Sequence, residues 1–189
     1  HANAVHPCGV VTPPQGRERE VRRRLEGQVK AMVGSAAPVL LRLEHGQAVG
    51  LVGLDESRER WGTGDARINS LELLAADGSQ TQRIESDAAI RIRCQIGAHA
   101  RLDSPILRVS ITKLNGDVIW ATSTQRGTNT IRVLDGPATA TLDIPRLGLL
   151  EGTYYLSASI SDPTGTTDFD HCQNWVRFNV HKTNLFDEG

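Results

Sequence analysis

Residues 90–96 read Ile-Arg-Ile-Arg-Cys-Gln-Ile, and this stretch decides the fold that the sequence predicts. Apolar residues stand at every second position, and polar residues fill the positions between them. Successive side chains of a β-strand point to opposite faces, so a period of two predicts a strand with one buried and one solvated face. Strands of this kind are typical of antiparallel sheets that cover a core on one side only.

The same alternation recurs on both sides of this stretch, from Ala66 to Val180, with turn residues such as 115–117 (Asn-Gly-Asp) between the runs. About eight strands are predicted in this way, and no helix is predicted among them. A closed barrel would give the same pattern, but a two-sheet sandwich is the commoner outcome for this strand number and spacing. The predicted strands cover residues 67–75, 80–85, 89–96, 107–113, 118–124, 138–144, 153–160 and 174–181.

The residues before this region have a different character. An amphipathic helix is predicted over about residues 17–33, where Val21, Leu25 and Val29 form one apolar stripe and the polar side is rich in Arg. That side suits either anionic lipid headgroups or plain solvent, with the stripe docked on a neighbouring domain. Two short apolar runs, 38–43 and 47–54, predict weak strands or a hairpin. The predicted division is a tether over 1–59, a sandwich over 60–182 and a tail over 183–189.

Composition excludes several classes of function. The 189 residues carry a formal net charge of -1, whereas nucleic-acid binding needs surplus Lys and Arg for the phosphate backbone. No apolar run reaches the ~20 residues that cross a bilayer as a helix. The sequence begins at His1 without a Met, which indicates a fragment or a processed chain.

The three cysteines, Cys8, Cys94 and Cys172, form a sparse and odd-numbered set that favours a reducing compartment. Cys94 and Cys172 both occupy predicted core positions, as the bridged pair of an immunoglobulin domain does. That pattern also has a Tyr two residues before the second Cys, and Asp170 stands there. Both a bridge and two buried thiols remain open.

No catalytic motif is present, so we predict that the chain is not an enzyme and needs no cofactor. It lacks the G-x-x-x-x-G-K-[ST] phosphate loop and the G-x-S-x-G nucleophile turn. Asp168, Asp170, His171 and Cys172 could form a metal cluster, but their spacing matches no standard zinc or calcium loop. A polar hinge is the simpler interpretation, and no metal site is predicted.

Three stretches resemble a known family. The first is 61–68, Trp-Gly-Thr-Gly-Asp-Ala-Arg-Ile; the second is 127–130, Gly-Thr-Asn-Thr; the third is 144–156, Ile-Pro-Arg-Leu-Gly-Leu-Leu-Glu-Gly-Thr-Tyr-Tyr-Leu. Their order and spacing are similar to the C-terminal domain of Wzt, the ATP-binding subunit of an ABC transporter that exports O-antigen polysaccharide. The resemblance covers roughly residues 60 to 181.

This resemblance implies an immunoglobulin-like β-sandwich that binds the polysaccharide at the cytoplasmic face of the inner membrane, without catalysis, before export. It also implies a homodimer in which the last strand is exchanged, together with an ATPase domain and a membrane subunit as partners. The segment 161–170, rich in Pro, Gly, Thr and Asp, would serve as the hinge of that exchange.

Sugar recognition needs flat aromatic rings for the apolar ring faces and planar polar groups for the hydroxyls. Outward positions of the predicted strands carry both kinds of side chain, and we expect some of them to converge on one sheet face. Core packing is the expected role of Trp120, whose parity is ambiguous. The candidate carbohydrate-binding residues are Trp175, Tyr155, Arg177, Arg91, Arg93 and Arg108.

Two other functions stay open at this point. One is a structural or adhesive immunoglobulin-like domain, which a Cys94–Cys172 bridge would favour. The other is an accessory domain of a glycosyltransferase or methyltransferase, because sandwiches of this kind host many functions.

Overall fold

The computed structural model describes residues 40–45, 59–125 and 130–182. The predicted helix over 17–33 and the apolar run over 47–54 lie outside these residues. Every regular element of the described part is a strand. The strands are β1 Leu40–His45, β2 Glu59–Trp61, β3 Ala66–Leu74, β4 Arg83–Glu85, β5 Ile90–Ala98, β6 Leu102–Asp103, β7 Ile106–Thr112, β8 Val118–Ser123, β9 Val133–Leu134, β10 Pro137–Ile144, β11 Gly152–Ser161 and β12 Asp168–His181.

The strands form two main sheets, which confirms the predicted all-β sandwich. The smaller sheet has the order β1-β10-β5-β3, and the larger has the order β2-β12-β11-β7-β8, with β4 also paired to β12. The pairings are antiparallel except that of β4 with β12, which is parallel. β1 comes from the segment predicted as a tether, and it extends the smaller sheet by pairing with β10.

The core lies between the inner faces of the two sheets, where the alternating apolar residues meet. Ile92 of β5 and Leu156 of β11 are fully buried there. Trp120 packs against the same cluster, as predicted. Cys94 and Cys172 are both buried free thiols. Burial, with the nearby Asp170 carboxylate, raises the pKa of Cys94 to about 12, so this thiol stays protonated and unreactive at neutral pH.

The last strand is longer than the sequence predicted, because a bulge interrupts its alternation. Leu156 pairs with Val176 and Ala158 pairs with Cys172, so three residues of β12 stand opposite one residue of β11. Asn174 lies in this bulge with a positive φ of 52°. The bulge interrupts the alternation locally, between Cys172 and Val176, which both belong to the core cluster. Within it, Asn174 bonds to hydroxyls of the outer face, whereas Trp175 packs against the core.

The Trp-Gly-Thr-Gly segment clamps the edge of the larger sheet. The amides of Thr63 and Gly64 donate to the carbonyls of Asp168 and Phe169 at 3.1 and 2.8 Å. A side chain at Gly62 would clash with the Phe169 backbone, and the φ of Gly62 is 142°. Only glycine fits so close an approach of two backbones, which explains this residue of the motif.

A buried ion pair fixes the same edge from inside. Asp170 is 1% exposed and accepts hydrogen bonds from Arg60 Nε at 2.9 Å and Arg60 Nη2 at 2.7 Å. It also accepts the amide of Ile68, on the other sheet, at 2.6 Å. The carboxylate thus joins the two sheets, and its charge is compensated by a paired guanidinium and a backbone donor.

Candidate functional site

Each sheet has an outer face, and the two faces differ in chemistry. On the outer face of the smaller sheet, Arg91 Nε lies 2.6 Å from Asp143 Oδ1, and Arg93 Nε lies 2.7 Å from Glu72 Oε2. Two of the six predicted site residues therefore lie in ion pairs on this sheet. Their guanidinium donors are already engaged by carboxylates, which leaves fewer of them for a ligand.

The outer face of the larger sheet carries a line of cross-strand neighbours that runs over five strands. In register, Trp61 stands opposite His171, His171 opposite Ser159, Ser159 opposite Arg108, and Arg108 opposite Ser123. We call these five residues the cross-strand row. Neighbouring strands lie about 4.8 Å apart, so the row spans roughly 19 Å. It brings the predicted site residue Arg108 onto one line with an aromatic pair.

That aromatic pair is the stack of Trp61 on His171, whose ring centroids lie 4.0 Å apart at an interplanar angle of 17°. Trp61 is only 4% exposed, yet it does not belong to the core cluster. On its other side, His171 Nδ1 lies 3.5 Å from Asp168 Oδ2. Sequence reasoning treated Trp61 only as part of a motif, because its three-residue strand was too short to show a period.

Small hydroxyl side chains form the floor in the middle of this face. Ser157 and Ser110 stand opposite each other and are both buried. The Ser157 hydroxyl accepts the amide of Asn174 at 2.9 Å, and the Thr112 hydroxyl donates to Asn174 Oδ1 at 3.2 Å. These hydroxyls hold the β12 bulge in place. Because the side chains are small, the middle of the outer face forms a depression between larger side chains.

Tyr155 and Arg177 stand opposite each other farther along the same sheet, and Thr112 flanks Tyr155 on its other side. Tyr155 is 6% exposed and lies outside the core cluster, whereas Arg177 is exposed. The outer face of the larger sheet therefore carries Arg108, Tyr155 and Arg177, three of the six predicted residues.

Trp175 lies apart from these residues, on the inner side of the sheet edge. It is partly buried against the core cluster. The guanidinium carbon of Arg60 lies 5.5 Å from the centroid of a Trp175 ring, a cation–π distance. Because Arg60 also binds Asp170 between the sheets, this contact places Trp175 toward the interior.

The four residues that could have formed a metal cluster do not converge. Asp168 and His171 are paired with Ser161 and Ser159 of β11, which point to the outer face. Asp170 binds across to the other sheet, and Cys172 belongs to the core cluster. Within residues 40–45, 59–125 and 130–182, no three His, Cys, Asp or Glu side chains are grouped to hold a metal ion. In that same part of the chain, no helix is long and apolar enough to cross a membrane.

Known proteins of one family resemble this chain in sequence and in structure. The model of the Wzt C-terminal domain family matches residues 57–189. Among solved structures, the crystal structure of the C-terminal domain of Wzt is 20% identical with a TM-score of 0.60, over 68% of this chain and 81% of that one. No curated protein matches the chain.

Two further solved structures are more distant. A CARDB domain from Pyrococcus furiosus, solved with di-metal ions, is 12% identical with a TM-score of 0.38, over 69% of this chain and all of that one. A Niemann-Pick type C2 protein from the Japanese carpenter ant is 6% identical with a TM-score of 0.40, over 66% of this chain and 98% of that one.

Proposed function

Because the chain belongs to the Wzt C-terminal domain family, we propose that it binds O-antigen polysaccharide without catalysis and selects it for export by an ABC transporter. The binding takes place at the cytoplasmic face of the inner membrane. The remaining transporter parts, an ATPase domain and a membrane subunit, are its partners. Membership of the family supports these assignments, and the chemistry of the larger sheet supports the binding of a polysaccharide.

The cross-strand row is the observation that carries the proposal. It places an aromatic pair, small hydroxyls and the guanidinium of Arg108 on one line across five strands. Saccharide rings offer apolar C–H faces to aromatic rings and hydroxyls to planar donors. A line of roughly 19 Å has room for more than one sugar ring, as binding of a polymer requires.

A homodimer with an exchanged last strand also belongs to the proposal. The turn over residues 162–167 precedes β12, and it would have to open for the strand to cross to a second copy. The clamp between 62–64 and 168–170 would then form between copies, with the same hydrogen bonds. Sedimentation of the purified chain would test this, and a strict monomer at all concentrations would contradict it.

Binding of the domain to polysaccharide tests the function directly. Calorimetry with polysaccharide from the organism that encodes the chain, and with polysaccharide of unrelated structure, should show preference for the former. A lack of affinity for either would refute the proposal.

A matched pair of variants tests which face binds. Arg108→Gln removes a guanidinium from the cross-strand row, whereas Arg93→Gln removes one from the ion-paired face of the smaller sheet. We expect Arg108→Gln to weaken binding by about tenfold, which corresponds to roughly 1.4 kcal/mol of binding free energy. Arg93→Gln should leave the affinity unchanged. The reverse result would move the site to the smaller sheet.

A further inference from the structure

We propose that the end of the cross-strand row at Trp61 and His171 is a subsite for one electrically neutral pyranose ring, recognised through its hydroxyl groups. The inference rests on the proposed function and specifies its substrate class. Six side chains form the subsite: Trp61, Ser159, Ser161, Asp168, His171 and Gln173.

Three polar atoms at this end are shielded from solvent and make no hydrogen bond in the part of the chain that the structure describes. They are the indole nitrogen Nε1 of Trp61, the hydroxyl of Ser161 and the amide oxygen Oε1 of Gln173. A buried polar atom without a partner costs about 1–3 kcal/mol. Such atoms are rare in native proteins, and each calls for a hydrogen-bond partner; a ligand that brings hydroxyl groups could supply all three.

These atoms surround His171. Trp61 stands opposite it on β2, and Gln173 follows two residues later on β12, so both lie on the same face of the sheet. Ser161 lies two residues beyond Ser159 on β11, and Ser159 is the cross-strand partner of His171. Three orphaned groups around one residue make a cluster rather than three separate packing defects.

The kinds of groups define the ligand. Trp61 Nε1 only donates, Gln173 Oε1 only accepts, and the Ser161 hydroxyl does both. A carboxylate or phosphate would satisfy Trp61 but could not donate to Gln173, and it would lie near the Asp168 carboxylate. An ammonium group would satisfy Gln173 but not Trp61. Hydroxyl groups on neighbouring carbons donate and accept together, as a neutral sugar ring does.

The middle of the same face lacks this property. The hydroxyls of Ser157 and Thr112 are used by Asn174 of the bulge. Their hydrogen bonds serve the fold, whereas those at the Trp61 end remain to be made. The atoms without partners thus identify the end of the row at which hydroxyl groups of a ligand would form hydrogen bonds.

The atoms of the subsite are shielded from solvent, so a sugar ring can reach them only if a side chain moves. Gln173 is the one side chain of the six that is only half-buried. Rotation of its amide away from the surface would open the pocket at the edge of the sheet, where the neighbouring strand β2 has three residues only. Binding is therefore expected to order the Gln173 side chain.

The indole N–H signals in proton–nitrogen NMR spectra report on this directly, because each tryptophan gives one. Trp→Phe variants assign the signals of Trp61, Trp120 and Trp175. The probes are the polysaccharide used above, neutral methyl hexopyranosides, and glucuronic acid as the charged comparator. We expect the neutral probes to shift the Trp61 signal and leave the Trp120 signal in place, and glucuronic acid to have a smaller effect on Trp61.

Trp61→Phe is the matched variant, since it keeps a ring against His171 and removes the donor. It should weaken polysaccharide binding by about tenfold, or roughly 1.4 kcal/mol, while Trp120→Phe leaves it unchanged. Polysaccharide binding with an unmoved Trp61 signal would overturn the subsite and leave the proposed function intact, and this readout uses the parent protein. If glucuronic acid shifts the Trp61 signal as strongly as the neutral sugars do, the subsite does not prefer an uncharged ring. Absence of polysaccharide binding would refute both.

Discussion

The two outer faces of the sandwich are built on the same strand pattern but use their polar side chains differently. On the smaller sheet, arginines and carboxylates from neighbouring strands pair with one another. On the larger sheet, an aromatic stack and small hydroxyls lie in one row, and some buried polar groups have no partner within the described residues. A face whose charged side chains pair with one another is suited to solvent. A face whose buried polar atoms lack hydrogen-bond partners is suited to a ligand that supplies them.

The same contrast extends to stability. The ion pairs of the smaller sheet are partly exposed, so the solvent screens them and each contributes little. The edge of the larger sheet depends on a buried carboxylate and on two backbones in close contact. Substitutions there should therefore cost more than equivalent substitutions on the smaller sheet. Three pairs of variants and one change of salt concentration test the contrast between the two sheets.

The largest effect is expected from Asp170→Ala. Removing one partner of a buried ion pair leaves a charge without compensation and should lower the free energy of unfolding by about 3–5 kcal/mol. The matched control is Asp143→Ala on the smaller sheet, where the pair with Arg91 is partly exposed and the loss should be below about 1 kcal/mol. Urea denaturation measures both, and equal losses would remove the contrast.

Gly62→Ala should have the next largest effect, about 3 kcal/mol, because the new methyl group meets backbone atoms and the φ of 142° is unfavourable for alanine. Gly97→Ala on β5 is the control: its methyl would meet the amide end of the Asn69 side chain at 3.0 Å, which can move. Thermal unfolding should separate the two variants clearly. A small loss of stability in Gly62→Ala would mean that the backbone contact between residues 62–64 and 168–170 is not rigid.

Ser157→Ala comes third. It removes the acceptor of the buried Asn174 amide, and an unsatisfied buried donor costs about 1–3 kcal/mol. Thr141→Ala, on the outer face of the smaller sheet opposite Arg93, should change stability by less than about 0.5 kcal/mol. Hydrogen exchange of the Asn174 amide supplies an independent readout, since exchange should accelerate in Ser157→Ala only.

Salt should produce the smallest effect. Raising the ionic strength from about 0.1 M to about 1 M shortens the screening length from about 10 Å to about 3 Å, and should weaken the exposed ion pairs of the smaller sheet by less than about 1 kcal/mol in all. Polysaccharide binding at the larger sheet should fall little, because the ring proposed for the Trp61 end is neutral and hydroxyl groups bind the rest of the row without charge. A steep fall in affinity with salt would show that charge dominates recognition.

The long strands could be predicted from the sequence because alternation is a local property. The strand predicted at 89–96 is observed at Ile90–Ala98, and the strand predicted at 153–160 at Gly152–Ser161. The start of β12 could not be predicted in this way. Its bulge at Asn174 adds two residues to one strand only, so the alternation is interrupted between Cys172 and Val176, although both of these residues face the core.

The candidate site was predicted less completely than the fold. Outward parity identified Arg91, Arg93 and Arg108 alike, but it could not assign them to sheets, and the first two lie on the opposite side of the sandwich from the third. Trp61 was missed because β2 has only three residues. The placement of Trp175 depends on the bulge. Asn174 is a residue type that tolerates the positive φ of such a site, but an Asn in a strand does not by itself predict a bulge.

The sequence alone determined the strand alternation, the sandwich class and the family, because these reside in residues that are close along the chain. Tertiary structure alone decided which strands are neighbours, and hence that Trp61, His171, Ser159 and Arg108 share one row although they come from distant parts of the chain. The physical reason is that backbone hydrogen bonds between strands set the register, and register brings side chains together across distances that local patterns do not encode.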